Sequence, residues 1–391
     1  MKKILYLTFY FEPDLCAGSF RNSPLIKELA KQAKSEATID VITTLPNRYS
    51  SFVADASKYE QRDNYTVRRV VIPMHQSGMK DQMLSFKTYY TAVKKHTKGK
   101  QYDLVVASSS RLFTAFLGYR IASKFNAPLY LDIRDIFYDT MKDVLQNKAL
   151  KTLALPVIKK VENKTFGYAS HINLISGGFK PYFDTYKKPN YTYFPNGIDD
   201  IFIVANKNRS ENLDRPEIKT IVYAGNVGEG QGLHKIIPQA AKALEGRFNF
   251  LIIGDGGAKQ NLIDKIKEFD VYNVELRSPV KRNELIALYK QADFLFAHLN
   301  NYTAFEKVLP SKLFELATFS KPLIAGIGGF SANFVRKNIE NSILFEPCNV
   351  NQFVEKLTTY KYKEVYRENF IEKYKRSEVN KNMAQTMLNY L

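Results

Sequence analysis

The sequence predicts an α/β protein of two domains, each a parallel sheet wrapped by helices. Strand-like apolar runs recur along the chain with helical stretches between them, the alternation that builds such sheets. The first run, Lys3 to Phe9, is near-continuously apolar, as a strand buried on both faces must be. A polar stretch without apolar periodicity, KNRSENLDRPE at 207–217, then separates two series of similar size. The 391 residues suffice for two or three domains, each able to bury a core.

Composition narrows the classes of function. Hydrophobic residues at 45% and charged residues at 25% are ordinary for a soluble globular protein. No run of about 18 apolar residues is present, so no membrane span is expected. The opening MKKILYLTFYFEP has two lysines before an apolar segment, as a leader would. Glu12, Pro13 and Asp14 follow without a small-residue cleavage site, so the segment reads as a first strand. Cys16 and Cys348 stand far apart without metal-ligand spacing, which points to a reducing, cytoplasmic compartment and away from structural zinc. The net charge of +18 favours a polyanionic partner, or reflects a lysine-rich composition alone. The basic residues form no arginine-rich tail and no recognised nucleic-acid motif, so nucleic acid is not expected as a partner.

In the first half, Leu25, Ile26, Leu29, Ala30 and Ala33 predict a helix, entered through Gly18-Ser19, where a backbone can approach a ligand closely. No GxGxxG fingerprint accompanies it, so no dinucleotide cofactor is indicated. Strands are expected at Ile39–Thr43, Val67–Ile72, Leu104–Ala107, Leu129–Ile133, Ile172–Leu174 and Tyr191–Phe194. Between them, residues 79–100 read as a basic amphipathic helix with Met79, Met83, Phe86, Tyr90 and Val93 on one face. Such a helix packs on a sheet or lies on an anionic bilayer. Ligands of parallel sheets bind beyond the carboxyl ends of the strands. Three candidates occupy such ends: Asp132-Ile133-Arg134-Asp135, Ser176-Gly177-Gly178 and Pro195-Asn196-Gly197-Ile198-Asp199. The first also reads as a salt-bridged terminus and the last as a turn.

The second half repeats the architecture without repeating the sequence. IVYAG runs into GNVGEGQGL (Gly225–Leu233), and Phe248–Gly254 runs into GDGG. Val274–Leu276 leads to Ser278-Pro279-Val280, and a helix follows from Asn283 to Gln291. Asp293–Ala297 is a strand that hands over to NYTAFEKVLPSKLFELATFSKPLIAGIGG, the stretch with the most chemistry. Ser311 stands as the N-cap of a helix that Pro322 closes. A helix start offers free amides and a positive dipole end to a phosphate. Lys312 adds a cation there, and Glu315 lies about 4.5 Å along the axis, placed to take the hydroxyls of a ribose. The same residues would also serve as ordinary capping chemistry. Leu323–Ala325 and Ile343–Phe345 are strands, a helix starts at Val350, and residues 365–391 read as terminal amphipathic helices.

Taken together, Gly18-Ser19 with Arg21, PNGID at 195–199, GNVG at 225–228, IIGDGG at 252–257, ADFLF at 292–296 and PSKLFE at 310–315 resemble the family-4 retaining glycosyltransferases. The likeness covers nearly the whole chain. It implies the GT-B fold, two Rossmann-like domains with parallel sheets facing a central cleft. These would be residues 1–206, with helices 366–391 packing back onto them, and 207–365, which hold the donor. PSKLFE with LDIRD and GNVGEGQG looks closest to bacterial enzymes of O-antigen and capsule synthesis, some of which transfer N-acetylated amino sugars or deoxy-sugars to polyprenyl-diphosphate-linked glycans.

By that resemblance Glu315 binds the donor ribose, Gly225, Asn226, Gly228 and Gln231 wrap a diphosphate, and Gly254 lies beside them. Pro310, Ser311 and Lys312 supply the phosphate end, Val280 faces the base through its backbone, and Gly18 approaches from the N-terminal domain. The chain departs from the family in three places. Lys307 occupies the position of a first glutamate, with Glu306 one step out of register. Asn226 and Gln231 stand where the diphosphate loop often has arginine and lysine. Arg134-Asp135 replace a frequent histidine.

The implied chemistry is retaining transfer from a UDP-linked sugar. Lys312 would stabilise the departing diphosphate, and Arg134 and Asp135 would orient the acceptor once the domains close. No DxD motif is present, so neither a metal nor a cofactor is expected beyond the nucleotide sugar. A peripheral position on an anionic membrane fits the charge. A UDP-sugar 2-epimerase-like isomerase and a non-catalytic nucleotide-sugar-binding protein are the alternatives. Acceptor-free turnover would mark the first, and binding without turnover the second.

Overall fold

The computed structural model describes residues 1–14, 16–47, 55–73, 79–109, 112–145, 147–206 and 217–391. The expected linker at 207–217 lies, apart from Glu217, outside the described residues. The chain forms two compact units, Met1–Asn196 with Glu378–Leu391, and Gly197–Ser377.

The first unit contains β1 (Lys2–Thr8), α1 (Ala17–Ala33), β2 (Ala37–Thr44), β3 (Tyr59–Arg62), β4 (Tyr65–Val70), α2 (Met79–Thr97) and β5 (Leu104–Ser109). There follow α3 (Leu112–Phe125), β6 (Leu129–Ile133), α4 (Phe137–Val144), α5 (Lys148–Tyr168), β7 (His171–Leu174), α6 (Lys180–Phe183) and β8 (Asn190–Thr192). The strands lie in the order β3-β4-β2-β1-β5-β6-β7-β8, parallel throughout except for the β3–β4 hairpin. β1 sits at the centre with Ile4 to Leu7 wholly buried. On one face Ile4 and Tyr6 pack with Leu25, Ile26 and Leu29 of α1 and with Met383 and Met387 near the C-terminus.

The second unit holds α7 (Asp200–Asn206), β9 (Lys219–Ala224), α8 (Leu233–Ala243), β10 (Phe248–Ile253), α9 (Lys259–Glu268), β11 (Val274–Arg277), α10 (Arg282–Gln291) and β12 (Phe294–His298). It continues with α11 (Lys312–Leu316), β13 (Leu323–Gly326), α12 (Gly329–Asn338), β14 (Ser342–Phe345), α13 (Val350–Thr358) and α14 (Glu368–Tyr374). Its six strands are all parallel, in the order β11-β10-β9-β12-β13-β14. Alternate residues feed two cores. Ile221, Tyr223, Phe250, Ile252, Phe294 and Phe296 line one face. Val222, Ala224, Leu251, Ile253, Leu295 and Ala297 line the other, against Leu313 and Phe314. Strand order reverses between β9 and β12, which puts a crevice at the carboxyl ends of those strands.

Several elements differ from the expectation. The boundary between units falls at Asn196–Gly197 rather than at 206–207, because Ile198, Phe202 and Ile203 bury themselves in the second core. The return to the first unit is made by Glu378–Leu391, on the last helix α15 (Arg376–Leu388), while α14 stays with the second unit. The expected helix from Ser311 to Pro322 is regular only over Lys312–Leu316 and then tightens into turns. On α2 the buried line is Ser85, Tyr89, Val93 and Thr97, and Met83 is 66% exposed. The register follows Tyr89, whose hydroxyl donates to the carbonyls of Ile42 at 2.7 Å and Thr8 at 3.2 Å. A tyrosine that buries its ring and finds acceptors for its hydroxyl outcompetes a methionine for the inward position.

The Asp199 carboxylate of PNGID accepts hydrogen bonds from Arg282 and Arg376, the latter at 2.9 Å. The preceding Gly197 turns with φ +68°, where a Cβ would meet Arg376 Cα at 3.0 Å. This motif is a structural clasp of the second unit.

Candidate functional site

The site of the second unit is built at the ends of β9 and β10. Gly225 follows β9, and its amide donates to Ile253 O at 2.9 Å. Gly254 follows β10, and its amide donates to Arg277 O at 3.0 Å. The two loops touch so closely that a Cβ at Gly254 would lie 1.8 Å from the Gly225 carbonyl oxygen. Asn226 folds back over the loop and donates to Gln231 Oε1 at 2.7 Å. Gly228 makes this possible, since a Cβ there would meet Asn226 Nδ2 at 2.4 Å.

The β12 end secures the far side of this loop. Asn300 Nδ2 donates to Glu229 O at 2.8 Å, and the Asn300 amide donates to Gly230 O at 2.9 Å. His298, 3% exposed, bonds Gln231 O through Nδ1 and accepts the Cys348 amide at 3.0 Å through Nε2. Burial pushes its imidazole down to about 4, so it is neutral near pH 7. The expected residues Gly225, Asn226, Gly228, Gln231 and Gly254 are thus one connected loop system.

Lys312 joins it from α11. A Cβ at Gly225 would lie 3.8 Å from Lys312 Cε and 3.2 Å from the Tyr223 hydroxyl. Lys312 Nζ bonds Glu315 Oε2 at 3.0 Å, with the two side chains 27% and 16% exposed. Burial opposes the charge on Lys312, but the Glu315 carboxylate outweighs it and holds the ammonium above its ordinary range. Tyr289 is fully buried alongside; burial pushes its phenol up to about 12 while the Lys312 charge pulls the other way. The result is a cation fixed against a glycine-lined loop, with its carboxylate partner mostly buried beside it.

The entry to α11 corrects one expectation. Ser311 has helical dihedrals and makes no side-chain cap, and the amides of Leu313 and Phe314 donate to Pro310 O and Ser311 O. A five-residue helix whose first amides are used in this way offers little dipole. The charge at this mouth comes from Lys312. Val280 is partly buried against the core that contains Leu313 and Phe314, three residues beyond the end of β11. Glu306, one step out of the family register, is exposed on a pocket of about 190 Å³ that Asn300, Tyr302, Phe305, Gly328 and Glu346 also line.

In the first unit Asp132 is fully buried and bidentate with Arg21, at 2.8 Å on both oxygens. Ser108 Oγ and Asn173 Nδ2 donate to the same carboxylate at 2.9 and 2.8 Å. Burial would raise the Asp132 carboxyl, but Arg21 outweighs it and holds it low. Arg134 and Asp135 follow at the end of β6. The Arg134 guanidinium fills the space beside Gly18, where a Cβ would lie 3.0 Å from Nη1 and 2.9 Å from Tyr10 Cβ. Burial lowers Arg134 and raises Asp135, which accepts from Thr140 Oγ1 at 3.3 Å. Gly18 therefore makes room for protein atoms. Ser176 caps the following turn, accepting the Gly178 amide at 3.2 Å. Among the described residues no group of three or more His, Cys, Asp or Glu is placed to hold a metal ion, and no helix is long and apolar enough to cross a membrane.

Tyr223, Tyr289, His298 and Asn300 are contributors that the motifs do not contain. The only signal in the sequence is their place at or near strand ends and on an adjoining helix.

Comparison with known proteins bears on the family and the fold. Residues 204–377 match the family model described as glycosyl transferases group 1. A protein of Escherichia coli (strain K12) described as a colanic acid biosynthesis glycosyl transferase, WcaI, is 33% identical over 135 residues. That stretch is 32% of this chain and 32% of the relative. Sucrose-phosphate synthase from Thermosynechococcus elongatus superposes with a TM-score of 0.66 at 14% identity, over 99% of this chain and 95% of that one. Anabaena Alr3699/HepE, solved in complex with UDP and glucose, gives 0.60 at 14% identity over 100% and 97%. The lipopolysaccharide outer core galactosyltransferase WaaB gives 0.64 at 14% identity, over 100% of both chains. Residues 204–377, under half of the chain, are thus similar to the glycosyl transferases group 1 family, and the fold over the full length is that of GT-B proteins.

Proposed function

We propose that the chain is a retaining, metal-independent glycosyltransferase. It moves a hexosyl or N-acetylhexosaminyl group from a UDP-linked donor to a lipid-linked glycan in the synthesis of a bacterial surface polysaccharide such as O-antigen or capsule. The observation that carries the reading is Lys312, held against Gly225 and paired with Glu315. Structural neighbours solved in complex with UDP support the choice of nucleotide. The colanic acid relative supports the polysaccharide setting.

In this reading the diphosphate lies along Gly225–Gln231, and the Lys312 ammonium receives the negative charge that grows as the glycosidic bond breaks. Glu315 accepts the two ribose hydroxyls, and the backbone at Val280 faces the base. Glu306 provides the carboxylate of the neighbouring pocket and contacts the transferred sugar. Arg134 and Asp135 act on the acceptor, Asp135 by accepting from its hydroxyl and Arg134 by fixing the carboxylate. The acceptor hydroxyl attacks the face from which the diphosphate departs, and its proton passes to that leaving group.

The test is a thermal-shift series with nucleoside diphosphates and their sugars, followed by turnover with polyprenyl-diphosphate acceptors. UDP should raise the melting temperature more than other diphosphates. Turnover should persist in EDTA, and the product should keep the donor's anomeric configuration. Absence of any diphosphate-dependent shift would end the reading.

A further inference from the structure

On the described part of the first unit, the face of α5 turned to solvent is apolar in its first half. Leu150, Leu153 and Val157 are 47%, 73% and 62% exposed. At spacings of three and four residues they lie on one side of the helix. The opposite side is satisfied by the protein. Ile158, Glu162, Thr165 and Phe166 are buried, and Lys159 turns inward to Glu162 and the Tyr182 hydroxyl. The exposed side carries lysines and no acid: Lys160 and Lys164 continue the apolar stripe at the same spacing.

We propose that this face of α5 is a membrane-docking surface for a bilayer with anionic headgroups. Leu150, Leu153 and Val157 enter the acyl boundary, and Lys160 and Lys164 contact lipid phosphates. The charge pattern selects this occupant. A second copy of the chain packed antiparallel, stripe to stripe, would set Lys160 and Lys164 against Leu153 and Leu150 with no acid to receive them, whereas an anionic bilayer takes both the apolar residues and the lysines. Of the two readings open to residues 79–100, α2 packs on the sheet through Tyr89, whereas α5 carries exposed apolar residues and lysines together on one side. The proposal stands apart from the donor reading, because docking requires no nucleotide.

The test is cosedimentation of the full chain with phosphatidylcholine–phosphatidylglycerol vesicles at low salt, with UDP affinity measured on the same samples. Wild type should partition onto anionic vesicles, and the double variant Leu153→Glu, Val157→Glu should bind at least about tenfold more weakly. Lys160→Glu with Lys164→Glu should weaken binding at low salt and matter less as salt screens the headgroups. All four positions are exposed, so the variants should keep the wild-type circular dichroism and UDP affinity. Wild type remaining in the supernatant would overturn the proposal. So would undiminished binding by the glutamate variant. Self-association by gel filtration that Leu153→Glu abolishes would assign the stripe to a second copy and overturn it too.

Discussion

At the strand ends of the first unit, Asp132 is closed in by Arg21, Ser108 and Asn173, and its charge is wholly matched within the protein. At those of the second, Gly225, Gly228 and Gly254 clear a space, and the Lys312–Glu315 pair stands at its edge, partly in solvent. Both units bring an acid and a base together beyond a parallel sheet. One arrangement is a bolt and the other is a receptacle. The difference lies in what surrounds the charges: four donor atoms from three residues and no solvent in one case, a bare backbone and solvent access in the other. Motif position alone does not separate the two cases, since LDIRD and PSKLFE both sit where ligands of such sheets bind.

The contrast can be broken most severely at Asp132. Asp132→Ala leaves a buried guanidinium without its carboxylate and should cost about 3–5 kcal/mol in denaturant unfolding. The same truncation at the partly exposed pair, Glu315→Ala, leaves an ammonium that keeps some solvent access and should cost less, about 1–2 kcal/mol. Equal losses would mean that the two pairs are not different in kind.

A second test uses pH. Burial depresses His171 and His298, each to about 4. Between that value and the ordinary 6.5 the unfolded chain binds more protons than the folded one, so stability rises with pH across this window and is level above it. The expected gain is on the order of 3 kcal/mol for each ring, read as a fall in melting temperature on acidification. His298→Gln, which retains a donor and an acceptor, should flatten part of the slope. Its effect should fall on the Gly225–Gln231 loop, since this imidazole bonds Gln231 O.

A third test is local to the receptacle. Gly254→Ala would drive a methyl group into the Gly225 carbonyl, so the two loops must part. A destabilisation of about 1–3 kcal/mol is expected, together with loss of UDP binding. Gly257→Ala, where a Cβ meets nothing within 4 Å, is the control and should change neither.

Much of this architecture was legible in the chain. Apolar runs such as Leu129–Ile133 matched their strand end to end, because a strand buried on both faces must be apolar throughout. β3, with the sequence YEQR, carried no such signal; its hairpin with β4 is held by cross-strand pairing at a sheet edge. α2 was legible as a helix but not in its rotation, since a tyrosine with buried acceptors and a serine took the inward line. α11 read as a longer, capped helix because Ser311 and Pro322 look like its ends, whereas the turns from Ala317 onward depend on tertiary packing. In the receptacle, the glycines and PSKLFE were visible as motifs. The contact of Lys312 with Gly225 was not, because it depends on which strands are neighbours. Nor was the role of Tyr223, Tyr289, His298 and Asn300, which lies in what they touch rather than in any spacing.

The most direct measurement is the affinity for UDP, by calorimetry, of wild type and Lys312→Ala. Removing the ammonium that faces the Gly225 loop should weaken binding at least about tenfold, equal to roughly 1.4 kcal/mol, with the fold intact by circular dichroism. Unchanged affinity in Lys312→Ala would contradict the account.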